Sequence, residues 1–303
     1  MQVKKLIDDY GKYLKQTVGV SESTRHQYLR YVKHFLGETF KDTIGDNLGN
    51  LKPYELIQHI MKQREHHNVP VIKSLLNALR SFLKFLQIKG LCSPRLVSAV
   101  PSIASWKLSK IPGYLTKEQL DKFLASFNRK SPIGRRDYVI ALCLARLGLR
   151  RKEVTQLTLD DIDWRSGNIC ITVSKSRRFS SFPLPENVGK AIVDYLRNGR
   201  PLTEKRHVFV CHLHRIGEPL SGSAIGAIVR RHFERAGMDV PSIGAHIFRH
   251  TVATYMTQQG ISIKEVADFL GHRSLDSTVI YTKVNLPMLV EVALPWPEEE
   301  DLI

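Results

Sequence analysis

Four separated stretches in the second part of this 303-residue chain carry side chains that together could act on a phosphodiester. They are Gly148-Leu-Arg150-Arg-Lys-Glu153, a basic run around Lys175, His246-Ile-Phe-Arg249-His250, and Leu270-Gly-His272-Arg-Ser followed by Tyr281. A phosphodiester bears one negative charge, and attack by an oxygen places more on its non-bridging oxygens. Arg150 and Arg249 offer planar, permanently charged forks for those oxygens, which lysine would hold less rigidly. Charge stabilisation of this kind can replace a metal, and the sequence lacks the clustered carboxylates of two-metal nucleases. A tyrosine hydroxyl has a pKa of about 10, so a positive site helps to make the phenolate. A leaving sugar oxygen needs a proton, and either Lys175 or His246 could supply it. No G-x-x-x-x-G-K-[ST] string occurs, so nothing points to ATP.

Each stretch alone has a plainer explanation. An arginine three residues before a glutamate is an ordinary helix ion pair, a hairpin lysine faces water, and a lone tyrosine is a half-buried core aromatic. His246 and Arg249, at i and i+3, share a helix face and as an isolated pair would be structural. His250 reads as a core or capping histidine and is not counted among the catalytic residues.

The elements that must position these groups can be read from hydrophobic period. The first hundred residues are helical throughout. Leu6, Ile7, Tyr10, Tyr13 and Leu14 keep a helical period, and Ser21 or Ser23 caps a second helix with Tyr28, Leu29, Val32, Phe35 and Leu36 inward. Pro53 opens a third helix before Leu56, Ile57, Ile60 and Met61. A fourth runs from about Val71 to Ile88 on one wide apolar stripe and ends at Gly90. Lys73, Asn77, Arg80 and Lys84 align on the other side of that helix, as a row of donors suited to phosphates and base edges in a groove, or simply as a solvated helix back.

Pro94, Pro101, Pro112 and Gly113 break the pattern and mark residues 93–113 as an extended linker. Thr116-Lys-Glu-Gln119 is a capping box opening a second domain. Helices follow through Leu147 and again around Val154 to Leu157. Residues 168–173 then alternate as a strand, with Phe182-Pro-Leu184 as its partner and a basic turn from Ser174 to Ser181 between them. Val208 to Cys211 reads as a third short strand, and the rest is helical. The expected domains are 1–92, a linker 93–113, 114–285, and an apolar tail 286–303.

Together and in this order, the four stretches resemble the tyrosine recombinases, the phage integrase and Xer-like family. The resemblance spans nearly the whole chain, from the Ser-Glu-Ser-Thr-Arg-His-Gln-Tyr opening of the second helix to Tyr281, and is most specific in the three strings around Arg150, Arg249 and His272. It implies a mainly α fold: a small all-helical DNA-clamping domain, then a larger, mostly helical catalytic domain with a short antiparallel β-sheet. It implies that Arg150, Lys175, His246, Arg249 and His272 surround the scissile phosphate, with Glu153 in support and Tyr281 as nucleophile. It further implies a 3′-phosphotyrosine intermediate, a free 5′-hydroxyl, and four protomers exchanging strands through a Holliday junction, without metal, ATP or other cofactor. The tail would dock on a neighbouring protomer, and no additional arm-binding domain is expected. The hairpin departs from the family pattern: Ser174 and Ser176 stand where many members have glycines, and Ser180 replaces a frequent arginine. Arg177 or Arg178 could therefore share the work of Lys175 and contact DNA.

Charge supports a nucleic-acid partner. The formal net charge is +16, and Glu298, Glu299, Glu300 and Asp301 contribute −4 of it, leaving +20 on residues 1–297. So much like charge calls for a polyanion, and the basic residues are too spread out for a membrane-binding helix. No apolar run approaches the roughly 20 residues that span a bilayer. Cys92, Cys143, Cys170 and Cys211 are scattered in apolar stretches, as reduced cysteines of a cytoplasmic protein would be. His207, Cys211, His212 and His214 lie close in sequence, but the apolar run between them and the lack of a second Cys-x-x-Cys argue against zinc. His246 and His250 have the spacing of a zinc helix, but Ile247 stands where its glutamate belongs. Two further readings use the same features. A relaxing topoisomerase would act as a monomer, and a non-catalytic DNA binder is disfavoured because every catalytic position is filled.

Overall fold

The computed structural model describes residues 3–40, 49, 51–104, 113–173, 178–240, 243–271 and 278–284, with backbone only at 172–173, 178–180 and 282–284. It divides into two compact units, residues 1–106 and 107–303. Both are mainly helical, and the second holds a three-stranded antiparallel sheet.

The first unit contains α1 (Val3–Gln16), α2 (Glu22–Phe40), α3 (Pro53–His66), α4 (Val69–Ile88) and α5 (Pro94–Ala99). Ser21 is the residue that caps α2, its Oγ accepting from the Thr24 backbone N–H at 3.3 Å. Pro53 sits in the first turn of α3, where its missing N–H costs nothing. Pro70 does the same for α4, so this helix starts two residues before the apolar stripe suggested. Ile72, Leu75, Leu76, Leu79, Phe82, Leu83 and Leu86 of α4 are all buried, each worth about 1.5–3 kcal/mol by transfer from water. Tyr10 of α1 packs edge-on against Phe82, with ring centroids 5.1 Å apart.

A linker beginning at residue 93 is not what forms. Ser93 caps α5 by accepting from the Arg95 N–H, and Leu96 and Val100 bury themselves in the core of the first unit. Pro94, read as a breaker, occupies the first helical turn, the one place a helix tolerates it. Residues 105–112 lie outside the described residues.

The second unit contains α6 (Lys117–Ala125), α7 (Pro132–Leu147), α8 (Arg151–Gln156), β1 (Ile162–Asp163), β2 (Asn168–Val173), β3 (Arg178–Pro183), α9 (Glu186–Asn198), α10 (Gly222–Arg235), α11 (His246–Gln258) and α12 (Ile263–Leu270). A 3-10 turn follows at Val279–Val284. The capping box at Thr116 forms, with Thr116 Oγ1 accepting from Gln119 N and Gln119 returning a bond to Thr116 N. Helix α7 is buried on nearly all sides from Val139 to Leu147, the mark of a central helix. The sheet order is β1-β2-β3, with Ile169 opposite both Ile162 and Phe182.

Two sheet expectations are corrected. The third strand is Ile162–Asp163, on the far side of β2 from β3. Val208, Phe209 and Val210 are fully buried, but among the described residues this stretch joins no sheet; His207 and Val210 make isolated bridges, to Thr158 and Pro219. The basic turn is also shorter than expected, because Arg178 already pairs with Val173 in β3.

Candidate active site

The strings in the sequence are explained by how helices end. Gly148 closes α7 with φ of 59°, and Gly271 closes α12 with φ of 59°, both left-handed conformations that favour glycine. A Cβ on Gly148 would stand 3.3 Å from Leu270 Cδ2, so the two helix ends are packed together. This exposes backbone carbonyls at the negative ends of both helices. Arg249, on the first turn of α11, occupies the gap. Its Nη1 donates to the Gly148 carbonyl at 2.9 Å, and its Nη2 donates to the Leu270 carbonyl. Arg249 is 6 % exposed, and burial pulls its pKa down to about 10, so it stays charged at neutral pH.

Arg150 is the N-cap residue of α8. Glu153, in the same first turn, is buried and holds it twice: Oε2 accepts from the Arg150 backbone N–H at 2.7 Å, and Oε1 accepts from Arg150 Nη1 at 2.7 Å. The fork keeps its remaining N–H groups for other acceptors. His246 opens α11 and is exposed, yet the surrounding protein lowers its pKa, first by desolvation and then through Arg151, Arg249 and Arg150.

Tyr281 lies on the 3-10 turn after α12 and is 2 % exposed, packed with Ala253 of α11 and Val266 and Leu270 of α12. Its hydroxyl is 2.7 Å from His250 Nδ1. Burial raises its pKa, against the pull of Arg249 and then Arg150. The easing of phenolate formation by the two guanidiniums is present but outweighed by burial, which disfavours the charged phenolate. His250, which in sequence reads as a core or capping residue, is the side chain bonded to the Tyr281 hydroxyl. The available signal was its place directly after Arg249, near the start of α11. Burial, then His246 and Arg249, lower its pKa too.

The structure thus gathers Arg150, Glu153, His246, Arg249 and Tyr281 on α8, α11 and the 3-10 turn, close enough for both arginines to act electrostatically on the tyrosine. Lys175, Arg177 and His272 lie outside the described residues, as do the side chain of Arg178 and the tail from 286 to 303. Phe182 of β3 meets Phe269 of α12 at 5.1 Å, which ties the hairpin to the helix that ends at Gly271. In the first unit, Asn77 and Lys84 are exposed and Lys73 half-buried on α4. Arg80 is partly committed, donating to the Pro101 carbonyl at 2.6 Å and to Asn77 Oδ1 at 3.3 Å. His207, Cys211, His212 and His214 do not assemble into a metal-binding group, and His212 instead contacts the Tyr195 hydroxyl at 3.3 Å.

Known proteins resemble this chain over most of its length. Residues 113–286 match the phage integrase family. A putative integrase/recombinase y4rA of Sinorhizobium fredii is 39 % identical over 298 residues, covering 98 % of this chain and 72 % of that protein. The tyrosine recombinase XerC of Oceanobacillus iheyensis is 34 % identical over 302 residues, covering 96 % and 95 %. Among solved structures, XerH recombinase bound to a palindromic difH substrate aligns with a TM-score of 0.72 at 20 % identity, over 96 % of this chain and 85 % of that one. A lambda integrase dimer on a core site aligns at 0.70 and 15 %, over 98 % and 99 %. The chain belongs to the phage integrase family, and so is a tyrosine-type site-specific DNA recombinase.

Proposed function

We propose that Tyr281 attacks the scissile phosphorus of a duplex DNA site, forming a 3′-phosphotyrosine while the bond to the 5′ oxygen breaks. Arg150 and Arg249 hold the non-bridging oxygens, each fixed from behind, by Glu153 in one case and by two helix-end carbonyls in the other. The leaving 5′ oxygen takes its proton from Lys175 or His246, and His272 completes the set around the phosphate. Because the phosphotyrosine keeps the energy of the broken bond, a 5′-hydroxyl of a second duplex can reverse the step without ATP or metal.

The first unit grips the duplex through the α4 row of Lys73, Asn77, Arg80 and Lys84, and Arg177 and Arg178 add contacts from the second. Residues 286–303 dock on the neighbouring protomer, and four protomers exchange strands in pairs through a Holliday junction, in the cytoplasm. A solved lambda integrase tetramer bound to a Holliday junction has the same fold, at a TM-score of 0.69. None of the described helices is long and apolar enough to cross a membrane.

The observation that carries this reading is the joint one at Tyr281: a tyrosine whose hydroxyl is bonded by the residue next to Arg249, under the influence of both arginines. The test mixes two differently labelled duplexes carrying the site. New joints between them are expected; relaxation of supercoils without joints would indicate a topoisomerase, and binding without either a DNA-binding relative.

A further inference from the structure

In the first unit, α2 and α3 bring His34, Glu38 and His59 together, with one ligand atom of each within 4.8 Å of the others. His34 and Glu38 stand at i and i+4 on α2, one above the other, and His59 faces them from α3. His34 Nδ1 is 3.5 Å from Glu38 Oε2, and His59 Nδ1 is 2.8 Å from the same oxygen. Ligands on a tetrahedral zinc ion, at metal distances of about 2.0–2.1 Å, stand about 3.3 Å apart, between these two spacings.

The second observation is the state of His59. Its side chain is 4 % exposed, and both ring nitrogens are sealed from solvent with no properly aligned hydrogen bond. The short approach to Glu38 therefore lacks the direction of a hydrogen bond, and among the described residues Nε2 has no acceptor or donor. Leaving a buried imidazole so is destabilising. A cation beside Nδ1 would recover part of that cost. The other groups fit this arrangement: Lys62 Nζ bonds Glu38 Oε1 at 2.7 Å and leaves Oε2 facing the histidines, where Gln63 Nε2 approaches at 3.3 Å. A carboxylate anchored by its second oxygen is the usual support for a metal ligand.

We propose that His34, Glu38 and His59 form a site for a divalent transition ion of the zinc type. Two imidazoles and one carboxylate oxygen supply three ligands, and the half-exposed His34 side leaves a fourth position to water. The ion joins α2 to α3, the helices on either side of residues 41–52, and so braces the unit that carries the α4 row. It has no part in the chemistry at Tyr281.

The experiment uses the full chain, free of any affinity tag and stripped of metal, titrated with Co²⁺ and with Zn²⁺. One equivalent of Co²⁺ should give the intense visible absorption of a tetrahedral site, Zn²⁺ should displace it, and Zn²⁺ should raise Tm. His34→Ala, at an exposed position that leaves the core intact, should weaken binding by about tenfold or more and abolish the Tm rise. Glu38→Gln should do the same with its circular dichroism unchanged. Absence of the cobalt spectrum, or binding that is equal in His34→Ala and wild type, would overturn the proposal and leave Glu38 as a plain ion-pair hub for Lys62.

Discussion

His250 Nδ1 stands 2.7 Å from the Tyr281 hydroxyl, and it belongs to the same helical turn as Arg249. One turn of α11 thus holds the fork that ties together the ends of α7 and α12 and the residue bonded to the Tyr281 hydroxyl. Tyr281 is stored, with its hydroxyl bonded and its ring buried, in a setting that favours the neutral phenol over the phenolate.

Removing that bond should loosen the store. His250→Ala should make Tyr281 several-fold more reactive to tetranitromethane, read at Tyr281 by peptide mass spectrometry. Stability should fall by about 1 kcal/mol, the usual net worth of one hydrogen bond. Unchanged nitration at Tyr281 would mean that packing alone holds the ring.

Arg249→Lys keeps the charge but cannot span the carbonyls of Gly148 and Leu270. Stability should drop on the order of 3 kcal/mol by urea unfolding, since two charge-assisted bonds go at once. Cleavage should fall by about 10²–10³ while half-site affinity stays within a few-fold. Arg150→Lys should show the catalytic loss with a smaller stability loss, because Arg150 is only partly buried.

Gly148→Ala tests whether the helix end, rather than the arginine itself, sets the geometry. The positive φ and the close Leu270 methyl should together cost about 1–2 kcal/mol. Cleavage should decline with it, because the carbonyl that anchors Arg249 shifts. A variant as stable and as active as wild type would remove Gly148 from the account.

Acidification should destabilise the fold through the buried His232 and the half-buried His212. His232 and His212 are both lowered to about 4 from 6.5, first by burial. Their folded pKa values lie below the unfolded ones, so the stability they contribute is present above pH 6.5 and is lost as pH falls toward 4. Tm measured from pH 7 to pH 5 should decline, and His232→Gln should flatten that decline. A Tm independent of pH in wild type would contradict it.

Much of this was legible because local signals and burial agree. The apolar stripe of α4, the capping box at Thr116 and the glycine ends at 148 and 271 each follow from side-chain chemistry within one turn, and Arg150, His246, Arg249 and Tyr281 stood out by type and spacing. What was not legible depends on tertiary partners. Pro94 reads as a breaker until Leu96 and Val100 find the core of the first unit. Residues 208–210 have the composition of a strand, but they find only isolated bridging partners and join no ladder among the described residues. Strand β1 is only two residues long and has no periodicity to detect. His250 and His59 are ordinary helix histidines in sequence, and only the fold shows what each faces.

The most direct test of the account is covalent capture. Wild-type protein and Tyr281→Phe are incubated with a nicked half-site that loses its 5′-hydroxyl strand on cleavage, and adducts are resolved on denaturing gels. Wild type should give one adduct, mapped to a peptide containing Tyr281. The variant should bind the half-site with affinity within a few-fold and give no adduct, because a single oxygen has been removed. An adduct that persists in Tyr281→Phe, or that maps to another residue in wild type, would contradict the assignment of the nucleophile and the mechanism built on it.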